Sequence, residues 1–266
     1  MEIGEKMPYK NIILEKKEDI AVIIINRPDV LNALNTMTIK ELTSVINDLE
    51  NDKQIKVVIL RGRGDKAFIA GADIKEMKDM TVLQAREFSE LGHNLLSCIR
   101  KSRIPFIAMI NGYALGGGCE LLMSCDITIS SRKAKLGQPE INLGISPGFC
   151  GTQCLPRLVG RTKAKELMLT GDTIDALEAH RIGLLNRVVD EDKLEEETMK
   201  LAKTIAGKSS VQTAFIKSLV NKGADIDLNT ANALEISYFS SSFSTFDQKE
   251  GMMAFLEKRK PNFKGK

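Results

Sequence analysis

The chain has 266 residues, 43% hydrophobic and 27% charged, a composition suited to one large globular domain or a domain with an appendage. Its 38 Lys and Arg against 35 Asp and Glu leave a net charge of +3, which gives no electrostatic footprint for nucleic acid. Apolar runs such as 20–25 and 104–110 are too short to cross a bilayer, five cysteines without a CxxC pair argue for free thiols rather than zinc, and the N-terminus lacks a leader pattern, so the expected location is the cytoplasm, with no membrane and no metal.

The first half alternates strands and helices. Residues 11–14 and 21–26 read as strands around a polar turn at 16–19. Thr38 and Glu41 have capping-box spacing ahead of Leu42, Val45, Ile46 and Leu49 on one helical face. Residues 56–60, 106–110 and 127–129 read as buried strands, and 82–101 as a helix with Leu91, Leu95, Cys98 and Ile99 as its apolar stripe. This alternation predicts an α/β fold with a mostly parallel, covered sheet. Beyond about residue 158 the pattern turns helical: 163–169, 176–181, 193–206, 212–221, 230–239 and 248–258. Gly171 and Gly183 fall where helix C-caps belong. The expected division is a catalytic core over 1–195 and a helical region over 196–266, the latter a separate lobe or a surface for self-association.

Two motifs mislead. Gly144-Ile-Ser146-Pro147-Gly148 fits the G-x-S-x-G elbow of serine hydrolases. That elbow needs the N–H of the residue after Ser, and Pro147 has none. The two histidines, His93 and His180, both fall in predicted helices. The glycine cluster at 112–118 follows a strand and opens a helix, but its spacing is G-x-x-x-G-G-G rather than G-x-G-x-x-G. It reads as a tight turn, as a turn presenting bare N–H groups, or as both.

Three segments carry acids or small residues in apolar settings: 67–77, 111–126 and 137–141. Glu120 runs into Leu121, Leu122 and Met123, and Glu140 follows Pro139. A buried carboxylate is costly unless it has a partner or a purpose. From the residues alone, Glu120 is open to a structural or a functional reading.

The joint pattern decides between them. Asn26-Arg-Pro28 with Leu31-Asn-Ala-Leu34, Ala70-Gly-Ala-Asp-Ile-Lys75, 111–120, 137–141, Pro147-Gly148 with Gly151-Thr-Gln153, and the ending Asp247-Gln-Lys through Arg259 together resemble the crotonase (enoyl-CoA hydratase/isomerase) superfamily, and most of all its short-chain enoyl-CoA hydratases. The resemblance covers nearly the whole chain. It implies a spiral core of β-β-α turns, with a C-terminal helical trimerisation region and trimers or hexamers (dimers of trimers).

It also implies reversible hydration of short trans-2-enoyl-CoA thioesters such as crotonyl-CoA. Glu120 and Glu140 match the two carboxylates that handle protons, and the backbone N–H groups of Ala72 and Gly117 match the oxyanion hole. Ala33, Ala70, Ile74 and Lys75 match positions along coenzyme A, and Phe255 and Lys258 match C-terminal residues that close that site. Coenzyme A enters as part of the acyl-CoA substrate, so no separate cofactor is expected. Possession of both acids distinguishes the hydratase pattern from the alternatives, which are another reaction of the fold such as enoyl-CoA isomerisation, or a non-catalytic or RNA-binding homologue. Three departures stand out. Cys150 and Cys154 replace a common Gly and Arg, and Asp29 stands where several relatives carry Lys. Bulk at Phe149 and Cys150 is expected to shorten the acyl pocket.

Overall fold

A computed structural model describes residues 9–266. Six strands form the larger sheet: β1 (Ile12–Lys17), β2 (Ile20–Ile25), β3 (Val57–Gly62), β5 (Phe106–Ile110), β7 (Ile127–Ser131) and β10 (Arg187–Val189), in the order β1-β2-β3-β5-β7-β10. Only β1 runs antiparallel, pairing with β2 from Ile12 opposite Ile25 to Lys17 opposite Ile20. The turn is confined to Glu18 and Asp19, with Glu18 at φ 56. Lys16 and Lys17, expected in the turn, therefore sit in the strand.

The sheet is covered on both faces, as the continuous apolar runs require. Alternate side chains point oppositely. Ala21, Ile23, Ile25, Val58, Leu60, Phe106 and Ala108 enter one core, packed under α1 (Thr36–Asn51) and α3 (Val82–Lys101). Ile20, Val22, Val57, Ile59, Ile107 and Met109 enter a second, closed by Leu194, Ala202 and Ala206 of α8 (Leu194–Ala206). The expected division near residue 195 thus falls inside a helix that packs on the sheet.

Helix α1 begins one turn earlier than the capping-box reading predicts. Asn35 is the N-cap and accepts from Thr38 N, while Glu41 accepts from the amides of Lys10 and Asn11 at 2.9 and 2.8 Å. In α3 the N-terminal box does form, between Thr81 and Gln84.

A second sheet is absent from the sequence reading. It comprises β4 (Ala67–Ile69), β6 (Tyr113–Leu115), β8 (Lys135–Gly137) and β9 (Thr173–Asp175), in the order β4-β6-β8-β9. Strands of three residues carry no periodicity to detect. The chain visits both sheets in turn, β3 then β4, β5 then β6, β7 then β8, and this alternation is the expected spiral. Between these strands lie α2 (Ile74–Met77), α4 (Gly117–Leu122), α5 (Gly151–Val159), α6 (Arg161–Thr170) and α7 (Ala176–Arg181). A 3-10 turn spans Pro139–Leu143.

The C-terminal helices are α9 (Ser210–Gly223), α10 (Leu228–Ser242) and α11 (Phe246–Leu256). Helix α9 is tied to the core by Lys217. Its Nζ donates to the carbonyls of Ile99 and Ile104 and pairs with Asp126, each at 2.8 Å, 5.1 Å above the Phe106 ring. A buried ammonium is tolerated because each of these partners offsets its lost hydration. No helix among the described residues is long and apolar enough to cross a membrane.

Candidate active site

The two glycine-bearing segments meet where the small sheet ends. Residues 70–73 lie beside the segment 31–34. Ala70 N donates to Leu31 O, Leu34 N to Gly71 O at 2.9 Å, and Asp73 N to Leu34 O at 2.8 Å. Leu34 and Ala72 thus form a parallel bridge in which residues 71 and 73 make the bonds. In extended backbone the intervening N–H points the other way. The Ala72 N–H makes no backbone hydrogen bond among the described residues. Arg27 clamps this loop, bonding the Ala33 carbonyl and pairing with Asp73 at 2.8 Å.

The second segment turns at Gly116, whose φ of 48 suits glycine. A β-carbon there would stand 2.9 Å from Glu140 Oε1 and 3.8 Å from the Gly71 Cα. Gly117 is the first residue of α4, so its N–H has no partner within the helix and none elsewhere in the described backbone. Gly118 lets α4 press on β4, since a β-carbon would meet the Ile69 carbonyl at 2.1 Å.

A cavity of about 530 Å³ opens between these segments. Ala70, Ala72, Ile74, Gly117, Glu120 and Glu140 all lie on its wall. Ala33, Lys75, Phe255 and Lys258 do not. Ala33 is buried behind the loop, and Phe255 is 82% exposed near the end of α11. Ser146 reaches the wall, but neither histidine does among the described residues, so the rejected nucleophile elbow has no base.

Glu120 is 1% exposed, and its Oε1 accepts from the amides of Phe149 at 2.8 Å and Gly151 at 2.6 Å. Burial pushes its carboxyl up to about 7; the Gly151 amide opposes the shift, the neighbouring Glu140 charge adds to it, and the Phe149 amide opposes it. Glu140, on the 3-10 turn, is also raised by burial. The hydrogen-bond pattern sets the buried Gln138 amide with its nitrogen toward Glu140, donating to Oε1 at 2.9 Å and Oε2 at 3.2 Å. Sequence reasoning passed over Gln138 and the two amides holding Glu120. Gln138 left one signal, a polar residue between an apolar strand and an acid.

Phe149 also shapes the cavity. Its ring lies 5.2 Å from that of Phe88, tilted by 47°, and occupies the space above Gly92, where a β-carbon would fall 2.3 Å from it. Met77, Met80 and Leu143 add further apolar lining to the cavity. Cys150, expected to add bulk here, is not on the wall; its Sγ instead lies 2.8 Å from that of Cys154. Among the described residues, no group of three His, Cys, Asp or Glu could hold a metal.

The pairing of two buried acids with two unspent amides in one cleft is matched by whole-chain similarity. The family model for enoyl-CoA hydratase/isomerase matches residues 15–266. The chain belongs to the enoyl-CoA hydratase/isomerase family. It is 49% identical to the crotonyl-CoA hydratase of Syntrophomonas wolfei subsp. wolfei over 257 residues, covering 97% of this chain and 99% of that relative. It is also 49% identical to the short-chain-enoyl-CoA hydratase of Clostridium acetobutylicum over 254 residues, covering 96% of this chain and 97% of that one. In structure it resembles the enoyl-CoA hydratase of Bacillus anthracis, with a TM-score of 0.94, 38% identity, and coverage of 97% and 100% of the two chains. This likeness places the spiral core and its helical extension within the crotonase fold.

Proposed function

We propose that this member of the enoyl-CoA hydratase/isomerase family adds water across the double bond of short trans-2-enoyl-CoA thioesters, and catalyses the reverse dehydration. One observation carries the reading: Glu120 and Glu140, both buried and both raised in pKa, share a cavity wall with the free N–H groups of Ala72 and Gly117. Bound with its thioester oxygen at the two amides, the substrate gains charge stabilisation as the enolate forms, worth about 3 kcal/mol per donor. That enolate arises as water attacks Cβ. One carboxylate takes its proton, and the other carboxyl gives a proton to Cα. Two acids of unequal environment suit these opposite roles. The chemistry calls for no redox group or metal. The names of the relatives from Syntrophomonas wolfei and Clostridium acetobutylicum support the same substrate class.

The apolar end closed by Phe88 and Phe149 favours a four-carbon acyl group over long chains. Ala70, Ala72 and Ile74 line the approach for coenzyme A, with Ala33 and Lys75 beside it. The helical region is proposed to join subunits into trimers or hexamers, because Ile216, Val220, Leu228, Ile236 and Phe239 are all more than half exposed. Phe255 and Lys258 lie off this chain's cavity wall, which suits a contribution to a neighbouring subunit's coenzyme A site. Five free cysteines fit a reducing compartment, and the cytoplasm is the proposed location. The test is turnover of crotonyl-CoA by the purified protein, followed by loss of the conjugated thioester absorbance. Conversion of a 3-enoyl-CoA without hydration would instead assign an isomerase.

A further inference from the structure

Cys150 and Cys154 stand one helical turn apart at the start of α5. The Cys154 N–H donates to the Cys150 carbonyl at 2.7 Å, and the Cys154 thiol donates to the Cys150 sulfur at 2.8 Å. A disulfide needs about 2.05 Å between sulfurs and α-carbons about 4.4–6.8 Å apart. One helical turn separates α-carbons by about 6 Å. The same spacing sets β-carbons about 5–6 Å apart, beyond the roughly 3.5–4.5 Å that a disulfide spans, so closing the bond draws the Cys150 backbone toward Cys154. Both residues are partly accessible. Cys150 is also in the left-handed region, at φ 98, a conformation that a side chain beyond glycine holds at a cost.

The position of the pair gives it a consequence. Cys150 lies between Phe149 and Gly151, whose amides are the two donors to Glu120 Oε1. Any shift in the Cys150 backbone moves both donors together. We propose that Cys150 and Cys154 form a reversible disulfide that slackens the hold on Glu120 and lowers the hydration rate, a peroxide-sensitive brake built beside the cleft. The oxidant is hydrogen peroxide. The Cys150 sulfur attacks the O–O bond, forming a sulfenic acid and releasing water. The Cys154 sulfur then displaces the hydroxyl as a second water, so two thiols lose two electrons and the peroxide gains them. Burial, with Cys150 as neighbour, pushes the Cys154 thiol up to about 12, which suits the resolving role rather than the first attack. Cys119 is buried, and burial raises the thiols of both Cys119 and Cys125, so neither competes for the first attack.

The rate consequence rests on the proposed role of Glu120, whereas the covalent step does not, and the test separates them. The full-length protein is treated with hydrogen peroxide, alkylated and digested, and crotonyl-CoA hydration is assayed in parallel before and after dithiothreitol. The expected result is a Cys150–Cys154 crosslinked peptide and a rate lowered by at least about tenfold, in keeping with small displacements at a reacting centre, and restored by the reductant. Cys154→Ser keeps the reduced rate, forms no crosslink and accumulates a dimedone-reactive sulfenic acid at Cys150. A pair that stays reduced under peroxide overturns the proposal. So does a crosslink that leaves the rate unchanged, or an equal, dithiothreitol-reversible loss in Cys154→Ser. Failure of the untreated protein to hydrate crotonyl-CoA would count against the functional reading, while the crosslink would still stand or fall by itself.

Discussion

Glu120 Oε1 accepts the Gly151 amide at 2.6 Å, the shorter of two backbone bonds that fix one oxygen of a carboxylate raised to about 7. The second oxygen is left for the cleft. Residues 149–151 therefore aim the acid while burial weakens it, and the two effects oppose each other in protonation but agree in geometry.

Replacing Glu120 or Glu140 with Gln keeps the shape and removes the proton traffic. Each variant is expected to lose about 10²–10⁴ in kcat, the usual worth of a positioned acid or base. Steady-state kinetics with crotonyl-CoA and the circular dichroism of each variant check this. A rate within threefold of wild type for Glu120→Gln would remove that residue from the chemistry.

The pH dependence follows from the direction of the shift. Glu120 holds its proton up to about 7 in the folded chain, against 4.5 as the ordinary value. The folded state binds more protons over that interval, so its contribution to stability is complete below about 4.5 and disappears as pH rises through about 7. The size is about 3 kcal/mol. Glu140, also raised, acts in the same direction. Denaturant melts at pH 5 and pH 8 are expected to show this decline in wild type, and a smaller one in Glu120→Gln. The rate, which needs one of the pair ionised, is expected to climb through an apparent pKa near 7 that belongs to the pair.

Chain length is set at the apolar end. Phe88→Ala removes one ring of the Phe88–Phe149 pair without touching an amide that binds Glu120. The ratio of kcat/KM for decenoyl-CoA to that for crotonyl-CoA is expected to rise about tenfold or more, as pocket discrimination among methylenes allows. Equal efficiency of the wild type on both substrates would sink this account of the pocket.

Lys217 anchors the helical region. Removing one partner of a buried pair costs about 3–5 kcal/mol, so Lys217→Ala is expected to lower stability by that much in urea melts. Asp126, raised by burial even beside Lys217, would be left without its counter-charge. Combining Lys217→Met with Asp126→Asn is expected to cost less than the sum of the two changes, since neither then strands a charge.

The strands and helices were legible where one periodicity ran long enough. The segment 106–110 was read to the residue, because five apolar side chains buried on both faces leave no other element. The small sheet was not legible, since its three-residue strands are defined by partners far along the chain. Glu120 and Glu140 drew notice as acids in apolar surroundings, but their sharing of one cleft came from the family resemblance. The hold of the Phe149 and Gly151 amides on Glu120 could not be read, because backbone donors have no letter in a sequence. The misplaced cap at Thr38 shows the same limit: Asn35 offers equivalent chemistry three residues earlier, and Glu41 is engaged by Lys10 and Asn11 instead.

The tie between Phe149 and Glu120 has a practical side for anyone redesigning this enzyme. Phe149 joins pocket wall and acid support in one residue, so widening the binding slot from that side risks the turnover number along with selectivity. Phe88, Met77 and Met80 line the same void without donating to Glu120. They offer an independent handle for admitting bulkier acids, and a library confined to those three positions should retain far more active clones than one that includes Phe149.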